Sequence, residues 1–352
     1  MTDTSTPRTD GALSRRSVLA GAAAAMFVPA SVAALGSSAG ATAAPATSRG
    51  TAATTAAGAT ATARTTAGKV HKITMYVEDL GGGQTGYGLE PGKATIPGPL
   101  LEMYEGDTME ITLVNTTDRD VSIHPHGVLY DVNSDGSPFN NSYNGPGETR
   151  TYVWRTTGEK SLGRWSRPGT AGYWHYHDHA MGTPHGTGGV AAGLYGGLIV
   201  RRQGDILPDR QFTMVFNGML INNKLAPDTP MFEANHGETV EFICIGHGDM
   251  FHTFHLHAHR WANTRTGYLE GPRDSSQIID NRDLNGGDSF GFQVIAGEDV
   301  GPGAWMYHCH VQFHSDAGMS GIFLVRNADG SMPDGAQESI DWFHNHEGSG
   351  HH

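Results

Sequence analysis

The chain of 352 residues has only two cysteines, Cys244 and Cys309. That is too few for a disulfide framework, so any folded domain must rest on a real hydrophobic core. Cys244 lies in the apolar run Glu241-Phe242-Ile243-Cys244-Ile245 and reads as an inert strand residue. Positive charge is scarce as well: Lys and Arg total 23 against 36 Asp and Glu, a formal net charge of -13. This balance argues against nucleic acid or an anionic membrane as a partner. Long runs of Leu and Ile are missing. The uncharged stretch after Ser14-Arg15-Arg16-Ser17-Val18-Leu19 is rich in Ala and breaks at Pro29. It reads as a twin-arginine export signal over residues 1–43 rather than a membrane anchor, and the expected location is therefore secreted, extracellular. Residues 44–68 hold almost no large apolar side chain, cannot offset the entropy of ordering, and read as a disordered linker.

Long amphipathic helical patterns are also lacking. In their place are short alternating or apolar runs, among them Ile73–Val77, Met109–Val114, Thr151–Trp154, Leu198–Val200, Phe212–Phe216, Val240–Ile245, Phe290–Ile295 and Ile322–Val325, separated by Gly, Pro, Asn and Asp. This texture predicts an all-β fold built from β-sandwiches. An internal repeat divides the chain. Gly106-Asp107-Thr108-Met109-Glu110-Ile111 matches Gly237-Glu238-Thr239-Val240-Glu241-Phe242. The same offset carries His124 and His126 onto His255 and His257, and Trp174, Tyr176, His177 and His179 onto Trp305, Tyr307, His308 and His310. Two homologous sandwiches are expected, at 69–203 and 204–335, followed by a disordered tail over 336–352 holding His344, His346, His351 and His352.

Histidine is in excess, with 20 residues. The run His308-Cys309-His310-Val311-Gln312-Phe313-His314-Ser315-Asp316-Ala317-Gly318-Met319 combines a thiolate, an imidazole and a thioether. These are the ligand types of a blue-copper electron-transfer site in Cys309, His314 and axial Met319, and His252 is the best candidate for the remaining imidazole. Alternation along a strand turns His308 and His310 away from Cys309, where they can bind other metal ions while covalently joined to the thiolate. The four His-x-His pairs supply eight imidazoles, the number a three-metal cluster fed by both domains would need. Domain 1 has Asp178 where domain 2 has Cys309, and Val121 where it has His252, so it cannot hold a mononuclear blue site. His175 is expected to face away from the cluster, and His185, His247 and His259 are assigned no metal.

On these motifs the chain resembles the multicopper oxidases, specifically the bacterial two-domain small laccases, over about 69–335. The motifs are HPHG (124–127), HDH (177–179), HTFHLH (252–257) and the run from His308 to Met319. The resemblance implies two cupredoxin-like Greek-key β-sandwich domains and four coppers per chain. By resemblance, Cys309, His252 and His314 with axial Met319 bind the type 1 copper, and His124 and His255 the type 2 copper. One type 3 copper takes His126, His177 and His310, and the other His179, His257 and His308. Phenolic or aromatic amine donors would then be oxidised one electron at a time, and O2 reduced to water. Asp135 and Asp280 become candidates for relaying protons and Tyr130 for a redox-active neighbour, although Asp135-Gly136 also reads as a turn and Asp280-Asn281 as a loop.

The join around Arg201 to Pro208 is short and the chain has no spacer domain. Domain 1 is therefore expected to meet domain 2 of a neighbouring chain in a closed homotrimer of head-to-tail contacts. The rival reactions are nitrite reduction, whose family resembles this one but lacks the second histidine of the cysteine segment, and oxidation of Cu(I), Fe(II) or Mn(II). No long Met-rich insertion that would hand over Cu(I) is present.

Overall fold

Along Thr108–Asn115 buried and half-buried side chains alternate, so Met109, Ile111 and Leu113 enter a core while Glu110 and Thr112 face outward. A pleat of period two dictates this pattern. The computed structural model describes residues 68–347; the expected export signal over 1–43, the expected linker up to residue 67, and residues 348–352 with His351 and His352 lie outside the described residues. In domain 1 a cover sheet runs in the order Gln84–Gly88, Val70–Gly81, Thr108–Asn115, Thr149–Arg155, and a histidine-bearing sheet in the order Gly98–Tyr104, Tyr195–Arg201, Gly172–His177, His124–Pro125. Domain 2 repeats the plan. Its cover sheet is Leu220–Ile221, Arg210–Asn217, Thr239–His247, Ser289–Ile295, and its histidine sheet is Phe232–Asn235, Ser320–Arg326, Gly303–His308, His252–Leu256, Asn281–Leu284. Register repeats too: His124 pairs with His177 as His255 pairs with His308.

Each sandwich has its own core, one around Trp154, Tyr152 and Tyr176, the other around Phe242, Phe254, Phe292 and Tyr307. A third cluster joins them. Strand Tyr195–Arg201 is buried at every residue, because Leu198 and Val200 point into domain 1 while Tyr195 and Ile199 pack on Val215, Ile243 and Ile245 of domain 2. Strand Thr239–His247 is covered on both faces for the same reason, with Cys244 inside the domain 2 core as expected. Burial pushes the Cys244 thiol far up, which suits an inert role. The layers therefore run cover sheet, histidine sheet, cover sheet, histidine sheet.

At the rim of this interface the Arg201 guanidinium, 2% exposed, donates to both oxygens of Glu241 (3.0 and 2.7 Å) and to Glu102. Tyr173 (2.7 Å), Gln293 (2.9 Å) and Gln211 (2.9 Å) also donate to Glu241. A buried charge pair is tolerable only when its remaining donors and acceptors are satisfied in this way.

The expected disordered tail is corrected over its described part, residues 336–347. Ala336–His346 is a helix whose buried residues Ala336, Ile340 and Phe343 form one apolar stripe. It covers Ile322 and Leu324, with Ala304 and Met306 packed against them, on the outer face of the last sheet. Among the described residues no further sheet covers that face in domain 2, so its apolar side chains would otherwise meet water; the stripe at i, i+4 and i+7 is the sequence signal for this helix.

Candidate functional site

The pleat that buries Tyr307 and Cys309 turns Met306 and His308 to the opposite face. Cys309 Sγ lies 3.8 Å from His252 Nδ1 and 3.5 Å from His314 Nδ1, and all three residues are buried. His252 opens strand His252–Leu256, and His314 sits in the short helix Gln312–Asp316. The connecting loop is closed by the Cys309 N–H donating to Met319 O and the Met319 N–H donating to His314 O, both 3.0 Å, with the Met319 side chain in the same core. Burial pushes the Cys309 thiol up, and burial with the neighbouring His314 lowers His252 to about 4. Two neutral imidazoles and a thiol that ionises only beside a positive charge form a cation site. Thiolate and imidazole bound at ~2.0–2.3 Å to one trigonal ion lie about 3.8 Å apart, so the donor set fits copper.

Eight histidines gather as two quartets. His124, His126, His177 and His179 form one, with ring centroids 5.0–5.7 Å apart for the pairs in contact. His255, His257, His308 and His310 form the other at 5.2–5.3 Å. Within the first, His126 Nε2 and His177 Nε2 are 3.1 Å apart, the spacing of two nitrogens bound to one ion at ~2.0 Å. Backbone carbonyls orient the rings. His177 Nδ1–H donates to Asp178 O (2.7 Å) and His308 Nδ1–H to Cys309 O (2.8 Å). His124 donates to Asp135 O (2.5 Å) and His255 to Asp280 O (2.8 Å). Each bond leaves Nε2 as the metal-facing nitrogen, the arrangement that imidazole ligands use. Burial lowers His126 and His308 to about 4, which keeps both neutral and able to ligate.

The quartets do not meet within the chain. The domain 2 cover sheet lies between the two histidine sheets, two sheet spacings of about 10 Å each. Among the described residues no ring of one quartet contacts a ring of the other.

Asp178, at the place of Cys309, is fully buried and accepts from Ser122 N–H (2.7 Å), Ala180 N–H (3.1 Å) and Met181 N–H (2.7 Å). It thereby ties the backbone that follows His179 to the Ser122 segment, a role not evident in the sequence. Val121, at the place of His252, fills the domain 1 core. Tyr130 stands edge-on to His124 at 5.7 Å, and burial with the nearby Asp135 charge raises its pKa. The Asp135 carboxylate is held by Ser137 and by Asn140 Nδ2 (2.8 Å), 3.7 Å from His124 Nδ1. Although burial acts to raise it, these hydrogen bonds hold Asp135 below its ordinary value. Gly136 completes the turn at φ 75°, where an added Cβ would strike Ile123 O at 2.3 Å. Turn and site neighbour are thus the same residue. The Asp280 carboxylate is exposed, 3.8 Å from His255 Nδ1.

The expectation for His175 is also corrected. Residues 175 and 177 have the same parity in one strand and share a face, and the His175 ring stacks on His126 at 3.9 Å. It also neighbours His177 at 5.9 Å and His247 of domain 2, edge-on at 5.0 Å, which is itself 5.2 Å from His177. His259 is structural: Nδ1–H donates to His257 O (3.0 Å) and Nε2 accepts from Gly297 N–H (2.9 Å). His185 stands 5.5 Å from His179 without joining the quartet.

Comparison with known proteins agrees with this geometry. A probable nitrite reductase-hydroxylamine oxidoreductase fusion protein of Kuenenia stuttgartiensis is 32% identical over 266 residues, covering 68% of this chain and 28% of its own. The ferroxidase HEPHL1 of Mus musculus is 25% identical over 307 residues, covering 67% and 23%. The chain thus spans 23–28% of the length of these curated relatives. A solved blue copper oxidase from Nitrosomonas europaea superposes with a TM-score of 0.54 at 24% identity, over 74% of this chain and 86% of that one, which supports the cupredoxin fold. Two multicopper oxidase family models match residues 93–205 and 203–329, one on each sandwich, and the chain belongs to the multicopper oxidase family.

Proposed function

We propose that this protein is a two-domain laccase-type oxidase. It would oxidise phenolic or aromatic amine donors beside His252 and His314 and reduce O2 where the quartets of neighbouring chains meet. The observation that carries this reading is the placement of Cys309 between His308 and His310: one thiolate buried with His252 and His314, and two imidazoles on the opposite face in the second quartet. Copper, when bound, supplies the one-electron redox steps at Cys309 and the four-electron reduction of O2 with four protons to two waters at the cluster. Cys309 and its two peptide neighbours link the donor side to the quartet. His252 and His314 flank exposed Phe251 (47%) and Phe313 (67%), an apolar approach that suits an aromatic donor better than Fe(II). Asp135 and Asp280 would hand protons to the cluster side, a role supported by their carboxylates lying 3.7 Å from His124 Nδ1 and 3.8 Å from His255 Nδ1.

Four coppers per chain need both quartets. A closed trimer, domain 1 of each chain against domain 2 of the next, would complete three clusters from quartets that one chain keeps apart. Export by the twin-arginine route belongs to the same proposal.

Complementation tests the assembly. His126→Ala and His257→Ala chains, each inactive alone, are dissociated, mixed in equal amounts and reassembled with copper. Random trimers restore about a quarter of the clusters, one intact domain 1 meeting one intact domain 2. Full activity in a copper-loaded monomer would sink the trimer. Nitrite reduction is the second reading, favoured by the name of the Kuenenia stuttgartiensis relative. Copper content with O2 uptake on a phenol, on Fe(II) and on nitrite separates the three reactions.

A further inference from the structure

A cleft of about 350 Å³ opens between the domains, walled by Trp174 of domain 1 and by Asn263, Arg265, Arg282, Ser289 and Phe290 of domain 2. Its two arginines differ. Arg265 is neutralised by Asp205, to which it donates twice (2.7 and 2.5 Å). Arg282 is half-buried, yet among the described residues it has no ion pair and no side-chain hydrogen bond. The guanidinium lies over the Phe290 ring, with Arg282 Cζ 4.4 Å from the ring centroid. Two groups act on it electrostatically: the Cys244 thiol, which burial pushes far up and keeps neutral, and Asp288, whose carboxylate is taken by the Asn285 N–H (3.1 Å) and Nδ2 (3.0 Å).

An unmatched guanidinium is unexpected in a chain with a net charge of -13, where carboxylates are abundant. Partial burial costs a cation hydration, and stacking on Phe290 satisfies none of its five N–H donors. A guanidinium held over a ring keeps its N–H donors free for a planar acceptor, and its fork matches a carboxylate in two-bond fashion. Nearby, the Asn263 side chain is exposed and makes no hydrogen bond among the described residues. The volume suits a small organic molecule rather than a bare inorganic ion, and Trp174 and Phe290 supply aromatic walls.

We infer that this interdomain cleft is a binding site for a small aromatic carboxylate, with Arg282 as its anchor. It is separate from the copper-ligating residues and independent of the reaction proposed above. Because its walls come from both domains, an occupant would bridge them.

The test uses the full, copper-loaded protein and benzoate as probe, followed by calorimetric titration at pH 7, with benzyl alcohol as the neutral analogue and sulfate as the inorganic anion. The expected result is one saturable benzoate site per chain, at least tenfold weaker in Arg282→Met, with benzyl alcohol and sulfate both much weaker than benzoate. Blue absorbance and Tm of Arg282→Met are read first. Should that variant not fold, wild-type protein decides the matter: benzoate should protect Arg282 from phenylglyoxal, as mapped by mass spectrometry. Equal benzoate affinity in the variant, equal binding of benzyl alcohol or sulfate, or no protection of Arg282 would overturn the assignment.

Discussion

Ser122 and Thr253 do the same work in the two sandwiches. Ser122 Oγ accepts the His179 N–H at 2.8 Å, and Thr253 Oγ1 accepts the His310 N–H at 2.8 Å. The repeat therefore extends past the candidate ligands to the hydroxyls that position them. Tyr176 OH donates to Pro99 O as Tyr307 OH donates to Pro230 O. Domain 1 keeps this frame although Asp178 has replaced the thiolate.

Removing Asp178 should therefore harm the cluster more than the blue site. Asp178→Ala leaves the buried Ser122 N–H without an acceptor, at about 1–3 kcal/mol, and frees the half-buried Ala180 and Met181 N–H groups as well. Copper analysis should show cluster metal lost while blue absorbance, which the proposed Cys309 site in domain 2 would set, persists. An unchanged copper content would remove Asp178 from the positioning of His177 and His179.

The two functions of the Cys309 segment should separate by mutation. Cys309→Ser should abolish the blue colour and donor oxidation but leave copper bound at the cluster. His257→Ala should spare the colour and stop O2 uptake. A blue serine variant would refute the type 1 assignment.

Acid stability should follow Glu241. Burial alone would raise its pKa, but hydrogen bonds from Arg201, Tyr173 and Gln293 outweigh it and hold the carboxyl below its ordinary 4.5. A depressed folded-state pKa contributes stability that is fully present above the unfolded value and lost as pH falls through the folded one. Glu241→Gln should accordingly be less stable by about 3–5 kcal/mol near neutral pH, the cost of breaking a buried pair. That deficit should hold at pH 6 and 7 and shrink below about pH 4.5, as read from urea midpoints. A pH-independent deficit would show that the charge is not what matters.

The C-terminal helix should contribute measurably to stability. Phe343 is 4% exposed against the last sheet, and Phe343→Ala should cost about 3–5 kcal/mol, seen as a lower thermal midpoint. An exposed neighbour, Trp342→Ala, should cost far less.

What could be read from the amino-acid order, and what could not, divides by range. Ligand chemistry and strand alternation are local, so the four histidine pairs, the opposite facing of Cys309 and His308, and the inert Cys244 were legible from spacing and from the repeat. Equivalences such as Ser122 with Thr253 were also present in that repeat. The partners of Asp178, the stacking of His175 against His126 and His247, and the Arg201–Glu241 network depend on residues far apart in the chain. They exist because the domain 2 cover sheet packs on the domain 1 histidine sheet. The same stacking order keeps the two quartets apart in one chain and leaves the outer face of the last sheet to residues 336–346. Composition settled which atoms could bind metal; the packing of layers settled which of them one chain can bring together, because side-chain periodicity carries no information about which sheet will cover which face.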